Sequence, residues 1–325
     1  MTVTIRDVEA AAERLDGIAV RTPLIHNADL DQATGGRIFV KPECLQVTGS
    51  FKIRGAFNLM SSLSEEQARR GVVAWSSGNH AQGVAAAGGI LGIDAAIVMP
   101  EDAPKAKLDN TRRLGGEVIT YDRYSGDREA IARAVAEERG AELVPSYDHA
   151  DIIGGQGTVG LEIAEQMQEK GVDPDQVLVC CGGGGLSAGS AVAIKDRFPD
   201  CSVYIVEPVE FDDTTRSLQA GERLRIDDAA RSICDALQAD MPGRLTFEIN
   251  RRLAAGGLTV SDDEVRDAMR FAFKNLKLVA EPGGSVALAA ALSGKIETAD
   301  KTTVIVISGG NVDAGLFSTI MQGAA

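Results

Sequence analysis

The sequence predicts an α/β protein whose mostly parallel sheets are covered by helices. Three observations predict it. Short β-branched apolar runs alternate with longer helical patterns along nearly the whole chain, which is how βαβ crossovers read. Several of the runs end directly in glycine- or serine-rich junctions that open a helical pattern. The 325 residues are 44% hydrophobic and 25% charged, enough apolar material for a large core.

The elements follow in order. The opening MTVTIRDVEAAAERLDG has the periodicity of an amphipathic helix and no secretory apolar core. Strands are expected at 38–43, 72–77, 95–100, 117–122, 141–146, 177–181, 203–208 and 303–308, where β-branched and apolar residues cluster. Helices are expected at 50–62, 79–91, 104–114, 127–139, 155–170, 186–197, 261–275 and 284–292, on 3.6-residue periodicity. Ser261 with Glu264 three residues on forms a capping box for one of them. The polar stretch 209–258 is weakly periodic and reads as irregular structure near a site.

Composition narrows the function. Against 33 Lys and Arg stand 47 Asp and Glu, a net charge of −14 with no dense basic block, which excludes a nucleic-acid surface. No run approaches the ~18 apolar residues of a membrane span. The five cysteines, Cys44, Cys180, Cys181, Cys201 and Cys234, contain no CxxC and do not frame disulfides or zinc. A reduced, cytoplasmic protein is expected. Thirty-six glycines beside 4% aromatics favour tight turns around a small ligand.

Four junctions carry chemistry. Gly182, Gly183, Gly184 and Gly185, followed by Leu186, sit between a strand and a helix, where turned amides and a helix N-terminus favour phosphate. Gly183, Gly185 and Gly189 also approximate a dinucleotide fingerprint, with Glu207 at the distance of a ribose contact, so a nicotinamide oxidoreductase competes. No Gly-Lys-Ser/Thr follows, so the Walker pattern fails. In Thr48-Gly49-Ser50-Phe51-Lys52-Ile53-Arg54-Gly55, Ser50 can cap a helix whose first turn holds Lys52. A cation is misplaced there unless a depressed amine pKa supplies a neutral nucleophile. Ser76, Ser77, Asn79 and His80 form a third junction suited to a carboxylate. Ser308-Gly309-Gly310-Asn311 ends the last strand. The three histidines, His26, His80 and His149, have no metal-ligand spacing.

These four motifs, in this order, resemble the fold-type II pyridoxal-phosphate enzymes, in the branch of threonine/serine dehydratases and serine racemases. The resemblance runs from Arg21-Thr22-Pro23-Leu24 to Ser308-Gly309-Gly310-Asn311. It implies two open, twisted, mostly parallel sheets flanked by helices, as in the tryptophan synthase β fold. A large cofactor domain would comprise 1–53 and 150–325, with a small mobile domain at 54–149 closing over substrate. Lys52 would hold pyridoxal 5′-phosphate as a Schiff base, Phe51 would pack on its ring, and Asn79 would bond its hydroxyl. Gly182, Gly183, Gly184, Gly185 and Leu186 would hold its phosphate, and Ser308 would face its ring nitrogen. Ser76, Ser77, Asn79 and His80 would bind the substrate carboxylate.

The implied activity is a lyase: removal of the β-hydroxyl of L-threonine or L-serine to give a 2-oxo acid and ammonia. A serine at the ring nitrogen cannot favour a pyridinium as a carboxylate would, which favours elimination over transamination. Lys52 would be the general base. Ser77 stands where racemases of this branch keep an acid/base, so serine racemisation is an alternative. A 3-hydroxyaspartate ammonia-lyase is another, needing a cation such as Arg54 or the Lys105/Lys107 pair for the second carboxylate. Glu207, the Phe211 carbonyl and Asp213 resemble the family's divalent-cation site, with Mg²⁺ or Ca²⁺ suited to oxygen ligands. A small amino-acid substrate and a homodimer are the implied partners.

Overall fold

The computed structural model describes residues 2–103, 105–122, 126–227 and 229–323. It is an α/β fold of two sheets. Its strands are β1 (Ile25–His26), β2 (Arg37–Pro42), β3 (Val72–Trp75), β4 (Ala95–Pro100), β5 (Glu117–Tyr121), β6 (Glu142–Leu143), β7 (Gln176–Cys180), β8 (Ser202–Pro208), β9 (Gly256–Val260) and β10 (Thr302–Ile307). One sheet has the order β1-β2-β10-β7-β8-β9, parallel except for β1 against β2; the other is the parallel β5-β4-β3-β6. The central strands β7 and β10 are buried apart from the first residue of β10, as continuous apolar runs covered on both faces must be. No helix among the described residues is long and apolar enough to cross a membrane.

Most expected elements are present within a residue or two, and Asn79–Leu91 occupies the expected span. The Ser261 capping box forms: the Ser261 amide donates to Glu264 at 2.7 Å and the Glu264 amide to the Ser261 hydroxyl at 3.3 Å. Its helix is α-helical over Asp262–Phe271 and then widens into a π turn, Ala272–Leu276. Pro104, the expected start of the helix at 104–114, lies outside the described residues, and the helix runs Lys105–Arg113. The strand expected at 141–146 shrinks to Glu142–Leu143, because Pro145 has no N–H for a ladder and the chain turns toward the cleft.

The segment 209–258 is not irregular throughout. It holds the helices Asp213–Ala220 and Arg244–Leu253 and the start of β9. The first of these buries Asp213, Thr214, Thr215 and Ser217, so its inner face is polar and leaves no apolar period to read. The helix expected at 155–170 begins earlier, at Ala150, where the His149 ring accepts the Asp151 amide at 3.2 Å. Glycines of this helix and of Gly185–Arg197 are contact points. An added Cβ at Gly189 would lie 2.3 Å from the Ile153 carbonyl oxygen and 2.6 Å from the Gly157 nitrogen. At Gly160 it would lie 2.6 Å from Ser190 Cα. The helices Ala150–Glu169 and Gly185–Arg197 therefore cross backbone to backbone beneath the glycine loop.

Both sheets direct strand C-terminal ends at one cleft, the position where open α/β sheets bind ligands. β7 leads into Gly182, β10 into Ser308 and β3 into Ser76. Ser50 pairs with Gly309 as a single antiparallel bridge, and the Phe51 amide donates to the Ser308 carbonyl at 3.2 Å, bringing the lysine motif against the end of β10.

Candidate active site

The cleft is a cavity of about 1020 Å³ whose lining includes Phe51, Lys52, Ser76, Ser77, Asn79, His80, Gly182, Gly183, Gly184, Gly185, Leu186 and Ser308. All four sequence motifs thus converge on one space.

Lys52 is the first residue of the helix Lys52–Ser61. Ser50 does not cap it: the residue preceding the helix is Phe51, and the Ser50 hydroxyl is buried without a partner. The bridge to Gly309 fixes the Ser50 backbone instead. Lys52 Nζ donates to the Ser146 carbonyl at 2.9 Å and lies 5.2 Å from the centre of the Phe51 ring. Burial pushes its pKa down to about 8, against the pull of Cys180 and Glu281. A buried amine with no carboxylate in contact has a neutral, nucleophilic fraction near physiological pH that an exposed lysine lacks.

The glycine loop opens the helix Gly185–Arg197, with Gly184 at φ 91° in the left-handed region. Its carbonyls are held from behind: Thr246 donates to the Gly183 carbonyl at 2.7 Å and Ser187 to the Gly184 carbonyl at 3.1 Å. Asp148 in turn accepts the amides of Arg244 at 2.9 Å and Leu245 at 2.8 Å, fixing the helix that carries Thr246. Among the described residues, the amides from Gly182 to Leu186 donate to no protein acceptor. A Cβ on Gly183 would meet the Tyr147 ring at 2.3 Å. Free amides at a helix N-terminus, in a cradle that side chains would fill, fit a phosphate.

At the other end, Asn79 Nδ2 donates to Glu281 Oε1 at 2.6 Å, and Asn79 Oδ1 accepts from Asn311 Nδ2 at 2.8 Å. Burial pushes Glu281 up to about 7, with Asp235 adding repulsion. Ser308 is buried beside Cys180, whose thiol burial pushes up to about 11. His80 Nε2 pairs with the Val144 carbonyl at 2.8 Å, so Nε2 carries the proton, and Nδ1 is buried without a partner. Burial, with Lys52 nearby, holds His80 down to about 3, a neutral ring that offers no positive charge to a carboxylate. Ser77 faces the cavity half-buried, and the Ser76 hydroxyl accepts the Gly78 amide at 3.2 Å.

Glu207 and Asp213 lie apart from this cavity lining, both fully buried. Glu207 accepts the amides of Thr214 at 3.1 Å and Thr215 at 2.8 Å, so it is not free to hold a ribose and the dinucleotide alternative loses its acidic contact. Both Asp213 oxygens are buried without a hydrogen-bond partner. Burial pushes both carboxyls up, and the neighbouring Glu207 adds repulsion at Asp213. Among the described residues no group of three or more His, Cys, Asp or Glu side chains is gathered for a metal. An orphaned buried carboxylate beside a second acid nevertheless has the chemistry of an oxygen-ligated cation site, completed by carbonyl or water oxygens.

The cations expected for a second substrate carboxylate are not available. Arg54 is 1% exposed and locked to Glu43 at 2.8 Å and Glu162 at 2.6 Å. Lys105 is exposed and pairs with Asp109, while Lys107 lines the cavity but is tied to Asp235 at 2.6 Å. Arg128, Arg223 and Arg244 also line the cavity, as does Arg133, which is paired with Glu129 at 2.5 Å. Glu281, Tyr147 and Asp148 escaped the sequence reading. A glutamate before Pro282-Gly283-Gly284 at a helix start was the one local sign of the first, and nothing local marks the other two.

The family model for pyridoxal-phosphate dependent enzymes matches residues 16–309. An L-threo-3-hydroxyaspartate ammonia-lyase of Pseudomonas sp is 45% identical over 98% of this chain and 98% of its own length. A serine racemase of Schizosaccharomyces pombe is 42% identical over 98% of this chain and 97% of its own. The solved structure of maize serine racemase superposes with a TM-score of 0.93 at 37% identity, covering 99% of this chain and 98% of that one. With a lysine, a phosphate-ready loop and a serine around one cavity, and with these relatives, the chain belongs to the pyridoxal-phosphate-dependent enzymes, among their ammonia-lyases and racemases.

Proposed function

We propose that this enzyme removes the β-hydroxyl of a small hydroxy amino acid, L-threonine and L-serine first, to give a 2-oxo acid and ammonia. The observation that carries the reading is the cavity floor: Ser308, not a carboxylate, closes β10, and Glu281 is already engaged by Asn79. Pyridoxal phosphate, when bound, supplies an electron sink for the bond breaking at the substrate α-carbon. Lys52, whose amine burial makes easier to deprotonate, would join it and move the α-proton at Nζ. Gly182, Gly183, Gly184, Gly185 and Leu186 would hold its phosphate through their amides, and Phe51 would pack against its ring. Asn79 would donate to its ring oxygen, and Ser308 would donate to its ring nitrogen. Ser76, Ser77, Asn79 and the His80 amide hold the substrate carboxylate at the start of their helix, and 54–149 closes over it to exclude water.

Further readings each rest on an observation. Four arginines line the cavity, and the Pseudomonas relative bears the name of a 3-hydroxyaspartate ammonia-lyase; both support a substrate with a second carboxylate. Ser77 borders the cavity on the strand-to-helix turn, which supports serine racemisation as a side activity. Glu207, the Phe211 carbonyl and Asp213 would hold Mg²⁺ or Ca²⁺, supported by the orphaned Asp213 oxygens. The cation would stabilise the fold, by about 2.7 kcal/mol at a hundred times its dissociation constant.

A panel of L-serine, L-threonine and 3-hydroxyaspartate, assayed for keto acid and by chiral chromatography with and without Mg²⁺, tests these readings. Keto acid from threonine or serine supports the first, and turnover of 3-hydroxyaspartate alone replaces it with the second. No keto acid from any of the three removes the lyase reading.

A further inference from the structure

Asn79 can be accounted for atom by atom. Its Oδ1 is taken by Asn311 Nδ2 at 2.8 Å, and Asn311 Nδ2 also donates to the Thr48 carbonyl at 2.7 Å. A backbone carbonyl only accepts, so the Asn311 amide must present its NH₂ here, and Asn79 must present its oxygen to it. On the other side Asn79 Nδ2 donates to Glu281 Oε1 at 2.6 Å, the orientation that the Asn311 contact at Oδ1 already requires. The two ends agree. One N–H of Asn79 is left, and Asn79 lines the cavity.

Glu281 is itself held for this task. It is 3% exposed, and its amide donates to the Gly309 carbonyl at 3.0 Å, in the turn that follows β10. A Cβ on Gly309 would come within 2.2 Å of Glu281 Oε1, so the glycine leaves the room the carboxylate occupies. Burying a carboxylate costs several kcal/mol unless it is hydrogen-bonded, and a fold that needed only packing here would be served by an apolar residue.

We propose that Glu281 is a positioning residue: it locks the Asn79 side-chain amide so that its one remaining N–H, never its oxygen, faces the ring oxygen of bound pyridoxal phosphate. A flipped Asn79 would set oxygen against oxygen at that point. The inference rests on Asn79 meeting the ring oxygen.

The test is a double-mutant cycle on protein stripped of cofactor and reconstituted with pyridoxal phosphate, read by the visible absorption band and by cofactor retention on dialysis. Asn79→Ala and Glu281→Ala should each shift the band in the same direction and weaken retention by about tenfold or more. The double variant should be no worse than Asn79→Ala alone, because both act through one contact. Glu281→Gln, which keeps an acceptor oxygen, should recover the native band. Asn311→Ala opens the other end of the clamp without disturbing the buried carboxylate, and should give the same shift even if Glu281→Ala does not fold. A native band in both Glu281→Ala and Asn311→Ala beside a shifted Asn79→Ala overturns the proposal, as do fully additive losses. An unmoved band in Asn79→Ala overturns the underlying ring-oxygen contact as well.

Discussion

At the scale of single residues, the chemistry depends on taking a charge away from Lys52. An ordinary lysine is protonated up to about pH 10.5, whereas burial brings Lys52 down to about 8. Below that value the nitrogen carries a proton and cannot attack an aldehyde; above it the lone pair is free. The rate at which cofactor-free protein captures pyridoxal phosphate should therefore climb with pH and level off above about 8. Stopped-flow absorbance across that range checks it, and a rate still rising past pH 10 would mark Lys52 as an ordinary exposed amine. The Ser146 carbonyl keeps the same nitrogen at 2.9 Å without adding charge. The depression comes from burial, and a carboxylate in place of that carbonyl would hold the proton on more strongly.

At the scale of elements, the glycine loop is only as well placed as the helix it opens. Gly185–Arg197 crosses Ala150–Glu169 so closely that Gly189 has no room for a methyl group. Gly189→Ala should cost about 1–3 kcal/mol, measured as a lower urea midpoint with an unchanged slope. An unchanged midpoint would mean the helices separate freely. This scale also separates what the sequence discloses from what it conceals. Lys52, the glycine loop, Asn79 and Ser308 were readable because each lies on a strand-to-helix junction whose residue types are conspicuous within a few positions. Asp213–Ala220 was not, since its buried face is Asp, Thr and Ser. Asp148 acts on the amides of residues about a hundred positions away, so no local pattern could mark it. Glu281 is likewise defined by Asn79 across 202 positions of sequence.

At the scale of the whole molecule, a buried ionic network ties the lysine helix to the large sheet. Arg54 bridges Glu43 at 2.8 Å and Glu162 at 2.6 Å, and Lys41 Nζ reaches Glu162 at 2.5 Å. Arg54 was a candidate for substrate recognition on sequence grounds, yet it serves this junction. Arg54→Ala leaves buried Glu43 without its ion pair and Glu162 with Lys41 alone, and should destabilise the protein by about 3–5 kcal/mol. Thermal denaturation checks it; a variant as stable as the parent would show that the network contributes nothing. Across the cleft, Lys107 meets Asp235 at 2.6 Å and joins the helix Lys105–Arg113 to the short turn Asp235–Leu237. The two sheets thus share one cavity, and the bond proposed to define its chemistry is the one from Lys52 to the cofactor. Borohydride reduction of the holoenzyme followed by peptide mass mapping tests that bond most directly. The account predicts a single pyridoxyl label, on the peptide containing Lys52; a label on another lysine, or none on a protein that turns over its substrate, would contradict it.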